Sequence, residues 1–478
     1  MFCYIFLSLT LFPSLHPRIA PPPKPLTIIG RKVNHYLRQH TAPFVPVHLK
    51  IGSPEASSVG NNEKNFSIPF DFIPHFRTFA PVFRKLVLLL SLLIPALMLP
   101  MRGQDSIRVT VLTCSPGQEV YSLYGHTAIR CQNLSSPAEG ITPDVVFNYG
   151  VFDDTKPYFV WNFILGRTDY MVLPMPWEYF PESYRRRGSS IIEQELNLTQ
   201  AEARLLMDRL AENCLPQNRN YRYNFLYNNC TTKVRDLVEQ VVTGRIQYPD
   251  TLPHQTYREI LHHYTKQHPW SQEGNDLLLG AEVDTLLSVR ASMFVPEKLM
   301  DAFDGAFICT PEGNMRPLVK SKTTLLEAVP QNIEPELPIL PWQATLAFAA
   351  ICLLVTLLET WTKHIFWLWD ILLLLATGIA GTLLTFMLLF SSHPAVGSNW
   401  QVWVLNPIAL VGIPLIIKAA IRRRKTHWYA FQFAVLALFV LFSPWIPQDF
   451  AKITVPLALC LLTRPISYHN ILRRKKKK

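Results

Sequence analysis

The residues best suited to chemistry lie where a predicted helix begins, at Asn228, Asn229 and Cys230. Apolar residues follow at the spacing of a buried helical face, at Val234, Leu237, Val238, Val241 and Val242. Either asparagine is a good N-cap, which puts Cys230 in or just before the first turn. The helix dipole and the unpaired backbone N–H groups there lower a thiol's pKa and can hold an oxyanion. The sequence therefore predicts a nucleophilic cysteine.

A base for this thiol is predicted upstream. His126 begins a short strand-like run after Gly125, and the next predicted strand offers Asn148 as a third group to orient the imidazole. The alternative is that Cys230 is an ordinary buried residue and His126 an ordinary histidine. Spacing alone leaves both interpretations open.

Three motifs carry a family resemblance: Tyr124–Arg130, Phe147–Phe152, and Asn228–Thr232 with Arg235–Asp236 after it. The order of His before Asn-Cys resembles the permuted, papain-like NlpC/P60 hydrolases. The whole pattern, over about residues 105–470, more closely resembles the Lnb-type lipoprotein N-acyltransferases. That resemblance implies an α+β, permuted papain-like periplasmic domain followed by an all-α membrane domain.

The resemblance also implies an activity and partners. A phospholipid would donate an acyl chain through a thioester on Cys230 to a diacylglyceryl-cysteine lipoprotein, in a bacterial inner membrane. Tyr124, Asn229, His393 and Asn399 are candidates to face substrate or lipid. Two rival functions remain: a cell-wall cysteine amidase or peptidase, and a non-enzymatic envelope scaffold.

The pattern of residue types along the sequence predicts the strands and helices that position these residues. Short β-rich runs separated by turn residues predict an antiparallel sheet: Ile107–Leu112, Val145–Tyr149, Phe159–Phe163, Tyr170–Leu173 and Ile191–Leu196. Thr199 and Glu202 form a capping box before a further helix. Sheet and helices together predict an α+β domain.

Long apolar runs follow a linker at 330–341. They predict about five transmembrane helices, at 342–360, 365–390, 401–420, 427–445 and a shorter 450–465. With the domain before them periplasmic, five crossings place the C-terminus in the cytoplasm. The basic clusters at 422–425 and 473–478 then lie on the cytoplasmic side, as the positive-inside rule expects. Asp370 is expected to be an interfacial residue of the second span.

Composition narrows the function classes. The net charge of +11 is concentrated beside apolar segments, which argues against nucleic-acid binding. The eight cysteines show no metal-ligand or disulfide-framework spacing, although Cys114, Cys131, Cys214 and Cys309 could pair in an oxidising compartment. No cofactor is predicted. Six aromatic residues near Arg185–Arg187 are expected to pack internally or to dock on lipid: Trp161, Phe163, Trp177, Tyr179, Phe180 and Tyr184.

The domain boundaries follow from shifts in composition. Residues 1–80 are Pro-rich and without periodicity, which predicts a disordered leader and a true start near residue 80. Residues 81–104 have the form of a signal peptide or an N-terminal anchor. The catalytic domain is expected over 105–329, a linker over 330–341, the membrane domain over 342–470, and a basic tail over 471–478.

Overall fold

The computed structural model describes residues 106–119, 122–134, 144–250, 254–330, 333, 335–422 and 424–476. These residues form a sheet domain up to about residue 326 and a helical domain from residue 341 onward. The predicted leader and signal or anchor segment, residues 1–104, lie outside the described residues.

Strands dominate the first domain: β1 Ile107–Cys114, β2 His126–Asn133, β3 Asp144–Val151, β4 Asp169–Pro176, β5 Ile191–Leu196, β6 Asn220–Arg222, β7 Arg245–Gln247, β8 Phe307–Cys309, β9 Met315–Pro317 and β10 Val319–Leu326. Within the described residues, seven of them form one antiparallel sheet in the order β10-β5-β1-β2-β3-β4-β6. The other three form a small second sheet. The central strands β1 to β3 carry the predicted site residues.

The same domain contains the helices α1 Phe159–Ile164, α2 Phe180–Arg186, α3 Gln200–Asn213, α4 Cys230–Val241, α5 Tyr257–Thr265, α6 Pro269–Leu278, α7 Val289–Ser292 and α8 Pro296–Asp304. The apolar faces of α3 and α4 meet one face of the sheet in the main core, which includes Val111, Ile129, Phe147, Leu206, Leu210, Val234 and Val238. Thr199 and Glu202 form the predicted capping box of α3. The α+β prediction is confirmed.

Four of the five predicted β-rich runs are strands, and the fifth is a helix. Residues Phe159–Phe163 lie in α1. Their aromatic and β-branched residues favour a strand in isolation, but such preferences give way to packing. Phe163 and Ile164 are buried against Leu384 and Met387 of the helical domain, and one helical turn places both there.

The helical domain contains α9 Pro341–Thr362, α10 Trp367–Phe390, α11 Ile408–Ile421, α12 Trp428–Phe442 and α13 Thr454–Lys476. Among the described residues, four helical segments are long and apolar enough to cross a membrane, at Pro341–Thr362, Trp367–Phe390, Trp400–Ile421 and Trp428–Trp445. They match the first four predicted spans. The fifth predicted run lies in α13, which packs against α9 and α12 and carries Arg464 in its middle.

A buried charge cluster joins these helices. Arg464 of α13 donates two hydrogen bonds to Glu359 of α9, at 2.6 and 2.9 Å, and one to Asp370 of α10 at 2.6 Å. Tyr429 of α12 donates to Asp370, and Ser467 donates to Glu359 at 2.6 Å. All three charged side chains are at most 2% exposed. Asp370 lies in the first turn of α10, buried and paired with Arg464, and its position at the membrane interface stays a prediction.

The cysteines of the sheet domain, Cys114, Cys131, Cys214 and Cys309, are free thiols, as are the other cysteines that the structure describes. Asp276 and Asp284, which lie before the helical domain, both pair with the fully buried guanidinium of Arg258, at 2.7 and 2.6 Å. Asp276 thereby joins α6 to α5, and Asp284 joins the segment after α6 to the same helix.

Candidate active site

The start of α4 holds Cys230 as its first helical residue. Asn229 caps the helix from an extended conformation, and its Oδ1 accepts the N–H groups of Thr231 and Thr232, each at 2.9 Å. Because Asn229 occupies these two donors, the backbone N–H of Cys230 is the one left to meet a substrate oxygen in this turn. Of the backbone N–H groups predicted to bind an oxyanion, that of Cys230 is therefore the one still available in this turn.

His126 is brought to this thiol by β2. The strand lies between β1 and β3, with Cys114 opposite His126 and Asn148 opposite Ala128. Gly125, just before His126, has φ +76°, and a Cβ there would lie 2.6 Å from the carbonyl oxygen of Cys114. Only glycine allows so close a turn into the strand.

Asn148 fixes the orientation of the imidazole. Its Oδ1 lies 3.3 Å from Nε2 of His126. Since an amide oxygen only accepts, the neutral ring carries its proton on Nε2 and leaves Nδ1 for the thiol. The three predicted catalytic residues, Cys230, His126 and Asn148, therefore lie together, from three different elements of the fold.

The surroundings of Cys230 favour a thiolate. Burial raises the pKa of the thiol, but the charge and hydrogen bond of His126, with a hydrogen bond from the Thr127 backbone, lower it from 9.0 to about 7. A thiol of this kind is substantially ionised at neutral pH and is a strong nucleophile. The site can therefore perform thiol-based acyl transfer or hydrolysis.

The pH dependence of alkylation tests this pairing. The rate of Cys230 alkylation by iodoacetamide should rise with pH and reach half its maximum near pH 7, because the thiolate is the reacting form. In His126→Ala the histidine no longer lowers the pKa of Cys230, while burial still raises it. The midpoint therefore moves to higher pH, and the rate at pH 7 falls roughly tenfold or more. Mass spectrometry of the Cys230 peptide measures the rate.

His263→Ala is the matched control, since His263 is an exposed histidine on α5. Its alkylation profile should coincide with that of the unmodified chain. Equal profiles for His126→Ala and His263→Ala would contradict the ion pair.

Two tyrosines beside the thiol were not assigned a role from sequence. A Cβ built on Gly150 of β3, which has φ +87°, would lie 3.5 Å from Cβ of Cys230, 3.9 Å from the Tyr221 hydroxyl and 4.0 Å from the Tyr223 ring. Burial, and then the charge of the thiolate, raise the pKa of both phenols, so both stay protonated. The signal in the sequence was their i, i+2 spacing, which puts both rings on one face of an extended segment.

The candidates predicted to face substrate or lipid occupy different positions. Tyr124 is half-buried two residues before His126, and its hydroxyl accepts a hydrogen bond from Asn275 at 3.1 Å. Asn229 is buried, and its Nδ2 donates to the carbonyl oxygens of Phe225 and Phe294, both at 2.8 Å. The prediction of a lipid-facing Asn229 is wrong, since both ends of its amide are used to shape the start of α4.

The loop with His393 and Asn399 lies at the junction of the two domains. Nε2 of buried His393 donates to the Phe163 carbonyl at 2.8 Å, and Nδ2 of buried Asn399 donates to the Leu277 carbonyl at 2.8 Å. These side chains do not face lipid, so that prediction is wrong for both. Their hydrogen bonds hold α1 and α6 of the sheet domain on the helical domain.

The described residues contain no group of three or more His, Cys, Asp or Glu side chains arranged to hold a metal ion.

Comparison with protein-family models gives two matches. Residues 103–263 match the Lnb N-terminal periplasmic domain, and residues 332–477 match the Lnb transmembrane domain. No curated protein and no solved structure matches the chain, so the permuted papain-like arrangement stays a prediction. The two matches cover more than half of the chain, in the order that the structure shows. This inner-membrane protein with a periplasmic domain therefore belongs to the Lnb family of membrane lipoprotein N-acyltransferases.

Proposed function

We propose that the chain moves an acyl chain from a phospholipid to the α-amino group of a diacylglyceryl-cysteine lipoprotein, through a thioester on Cys230. The observation that carries the proposal is the Cys230 thiol at the start of α4, paired with His126, in a domain held on membrane helices. A soluble substrate would not need that attachment, whereas an ester carbonyl at the headgroup boundary does.

The first half-reaction forms the thioester. The Cys230 thiolate attacks the ester carbonyl carbon, and the N–H of Cys230 donates to the developing oxyanion. The carbon–oxygen bond then breaks, and the His126 imidazolium gives its proton to the departing lysophospholipid oxygen. Asn148 keeps the ring in the orientation that this transfer needs.

The second half-reaction restores the ion pair. The lipoprotein amine attacks the thioester carbonyl, the carbon–nitrogen bond forms, and the carbon–sulfur bond breaks. Neutral His126 accepts the proton that the amine loses, so the cycle ends with a thiolate and an imidazolium. No further reactant is required.

The topology proposed from charge places the C-terminus in the cytoplasm. Crossing by α13 as a fifth span puts the basic clusters at 422–425 and 473–478 on the side opposite the catalytic domain. The Glu359 and Asp370 carboxylates, by neutralising Arg464, support this crossing.

The experiment that tests the function compares lipoproteins from cells with and without the chain. Without it, mass spectrometry of lipoprotein N-terminal peptides should show the loss of one amide-linked acyl chain, restored when the chain is supplied again. Unchanged acylation would overturn the proposal. An altered set of cell-wall fragments would then favour a cysteine amidase, and no change in either would favour a scaffold.

A further inference from the structure

A row of aromatic rings begins where the sheet domain meets the membrane helices. Trp161 of α1, 51% exposed, lies 5.1 Å from the Phe386 ring of α10, measured between ring centroids. Phe386 lies 5.1 Å from Phe390, which is 57% exposed at the end of the same apolar helix. These rings form an apolar surface at one end of a membrane-spanning segment.

A second row of rings lies in the sheet domain. Phe159 of α1 stacks on Phe152 at 5.6 Å, Phe152 contacts Tyr170 at 5.0 Å, and Tyr170 stacks on Tyr223 at 4.0 Å. Centroid distances in this range are those of interacting aromatic pairs. Phe152, Phe159 and Tyr223 are half-buried, whereas Tyr170 between them is buried. Phe159 also stacks on Phe163 at 6.3 Å, and Phe163 packs with Leu384 and Met387 of α10. We name Phe159, Phe152, Tyr170 and Tyr223 the aromatic ladder.

The ladder ends at the nucleophile. Tyr223 and Cys230 flank Gly150 from two sides, with the Tyr223 ring 4.0 Å and Cβ of Cys230 3.5 Å from the place where a Gly150 Cβ would lie. Gly150 therefore places no side chain between the last ring and the thiol. A chain that follows the ladder therefore arrives beside the sulfur.

We propose that the aromatic ladder binds the acyl chain of a membrane phospholipid and guides its ester carbonyl to Cys230. The inference rests on the proposed function and adds the path of the donor. An acyl chain drawn out of the bilayer exposes methylene groups to water, and the exposed parts of Phe159, Phe152 and Tyr223 replace part of the lost apolar contact. The occupant is lipid rather than protein, because the ladder begins beside Phe163, which packs on the apolar helix α10, and finishes at the proposed acyl-accepting residue.

The Tyr hydroxyls at the inner end fit the same occupant. The Tyr221 and Tyr223 phenols, both protonated, lie beside the thiol, where the polar ester group follows the apolar chain. The ring faces of the ladder are apolar, and the Tyr221 hydroxyl beside Gly150 is a hydrogen-bond donor close to the thiol.

Photocrosslinking tests the path without depending on turnover. Full-length Cys230→Ala protein is placed in phosphatidylethanolamine vesicles that contain a diazirine on one acyl chain, irradiated and digested. We expect adducts on peptides from 152–170 in addition to those on the membrane helices. Phe159→Ala, added to this protein, should lower the 152–170 adducts at least threefold and leave those on α10 unchanged.

Phe307→Ala is the matched control, since Phe307 is an exposed phenylalanine on β8 of the other sheet. It should leave all adducts unchanged. Adducts confined to 341–476, or equal losses for Phe159→Ala and Phe307→Ala, would overturn the ladder. Should Phe159→Ala reduce the yield of folded protein, the adducts on Cys230→Ala alone decide the question. The proposed function is tested separately, by the N-acylation of lipoproteins in cells with and without the chain. A negative result there would refute the proposed function, whereas the adducts test the ladder.

Discussion

Cys230→Ala is expected to lower the rate of lipoprotein N-acylation by at least about 10³-fold while the protein stays folded in the membrane. Alanine cannot form the thioester, and the side chain it replaces makes no contact on which α4 depends: Asn229 and Thr232 cap the helix without the sulfur. Purified protein in vesicles, with a diacylglyceryl peptide as acceptor, provides the measurement, and the peptide product is counted by mass spectrometry.

Cys230→Ser separates the thiol from its geometry. The serine hydroxyl has the same place and nearly the same size, but it is not ionised near pH 7, so roughly a few per cent of the activity or less should remain. Cys309→Ala is the matched control, because Cys309 is a half-buried free thiol on β8, and its activity should stay within about twofold of the unmodified chain. Normal acylation by Cys230→Ala would refute the thioester.

The start of α4 and the strand with His126 could be predicted because their signals are local. An N-cap asparagine, a capping box and helical periodicity act within a few residues, and the structure has them where the sequence places them. The pairing of His126 with Asn148 was also accessible, since neighbouring strands of a meander bring residues two positions apart into contact. In this region the predicted N-cap and the predicted neighbouring strands agree with the structure.

The rest depends on contacts between distant segments. Phe159–Phe163 has strand-like composition, yet it folds as a helix because Leu384 and Met387 cover Phe163 and Ile164. The sequence predicted that His393 and Asn399 face substrate or lipid, yet their side chains donate hydrogen bonds to carbonyl groups more than 100 residues away. Neither partner could be identified from periodicity or local propensity, which carry no information on docking between domains.

The fifth helix of the helical domain, α13, also depends on contacts with distant segments, and here the contacts are between charged side chains. By composition α13 is less apolar than the four spans before it, since Arg464 lies among its apolar residues. An unpaired arginine buried among packed helices is strongly destabilising, because the charge loses its contact with water. Glu359 and Asp370 remove that penalty by pairing with the guanidinium, which explains how a helix with a central charge packs among apolar ones.

Arg464→Leu is therefore expected to destabilise the membrane domain by about 3–5 kcal/mol, although it makes α13 more apolar. The substitution leaves Glu359 and Asp370 buried as two like charges without a cation, and the hydrogen bonds from Tyr429 and Ser467 cannot neutralise them. Thermal unfolding in detergent micelles should show a midpoint lowered by several degrees or a loss of folded protein.

Neutralising the carboxylates identifies the cause of this loss. Arg464→Met combined with Glu359→Gln and Asp370→Asn removes all three charges, and most of the stability should return, because buried ion clusters are commonly replaceable by neutral side chains of similar size. Arg473→Leu, at an exposed arginine of the same helix, is the control and should leave the midpoint unchanged. If Arg464→Leu unfolds at the same temperature as Arg473→Leu, the cluster does not hold α13 in place. If the neutral triple variant is no more stable than Arg464→Leu alone, the loss comes from packing of the arginine stem rather than from unpaired charge.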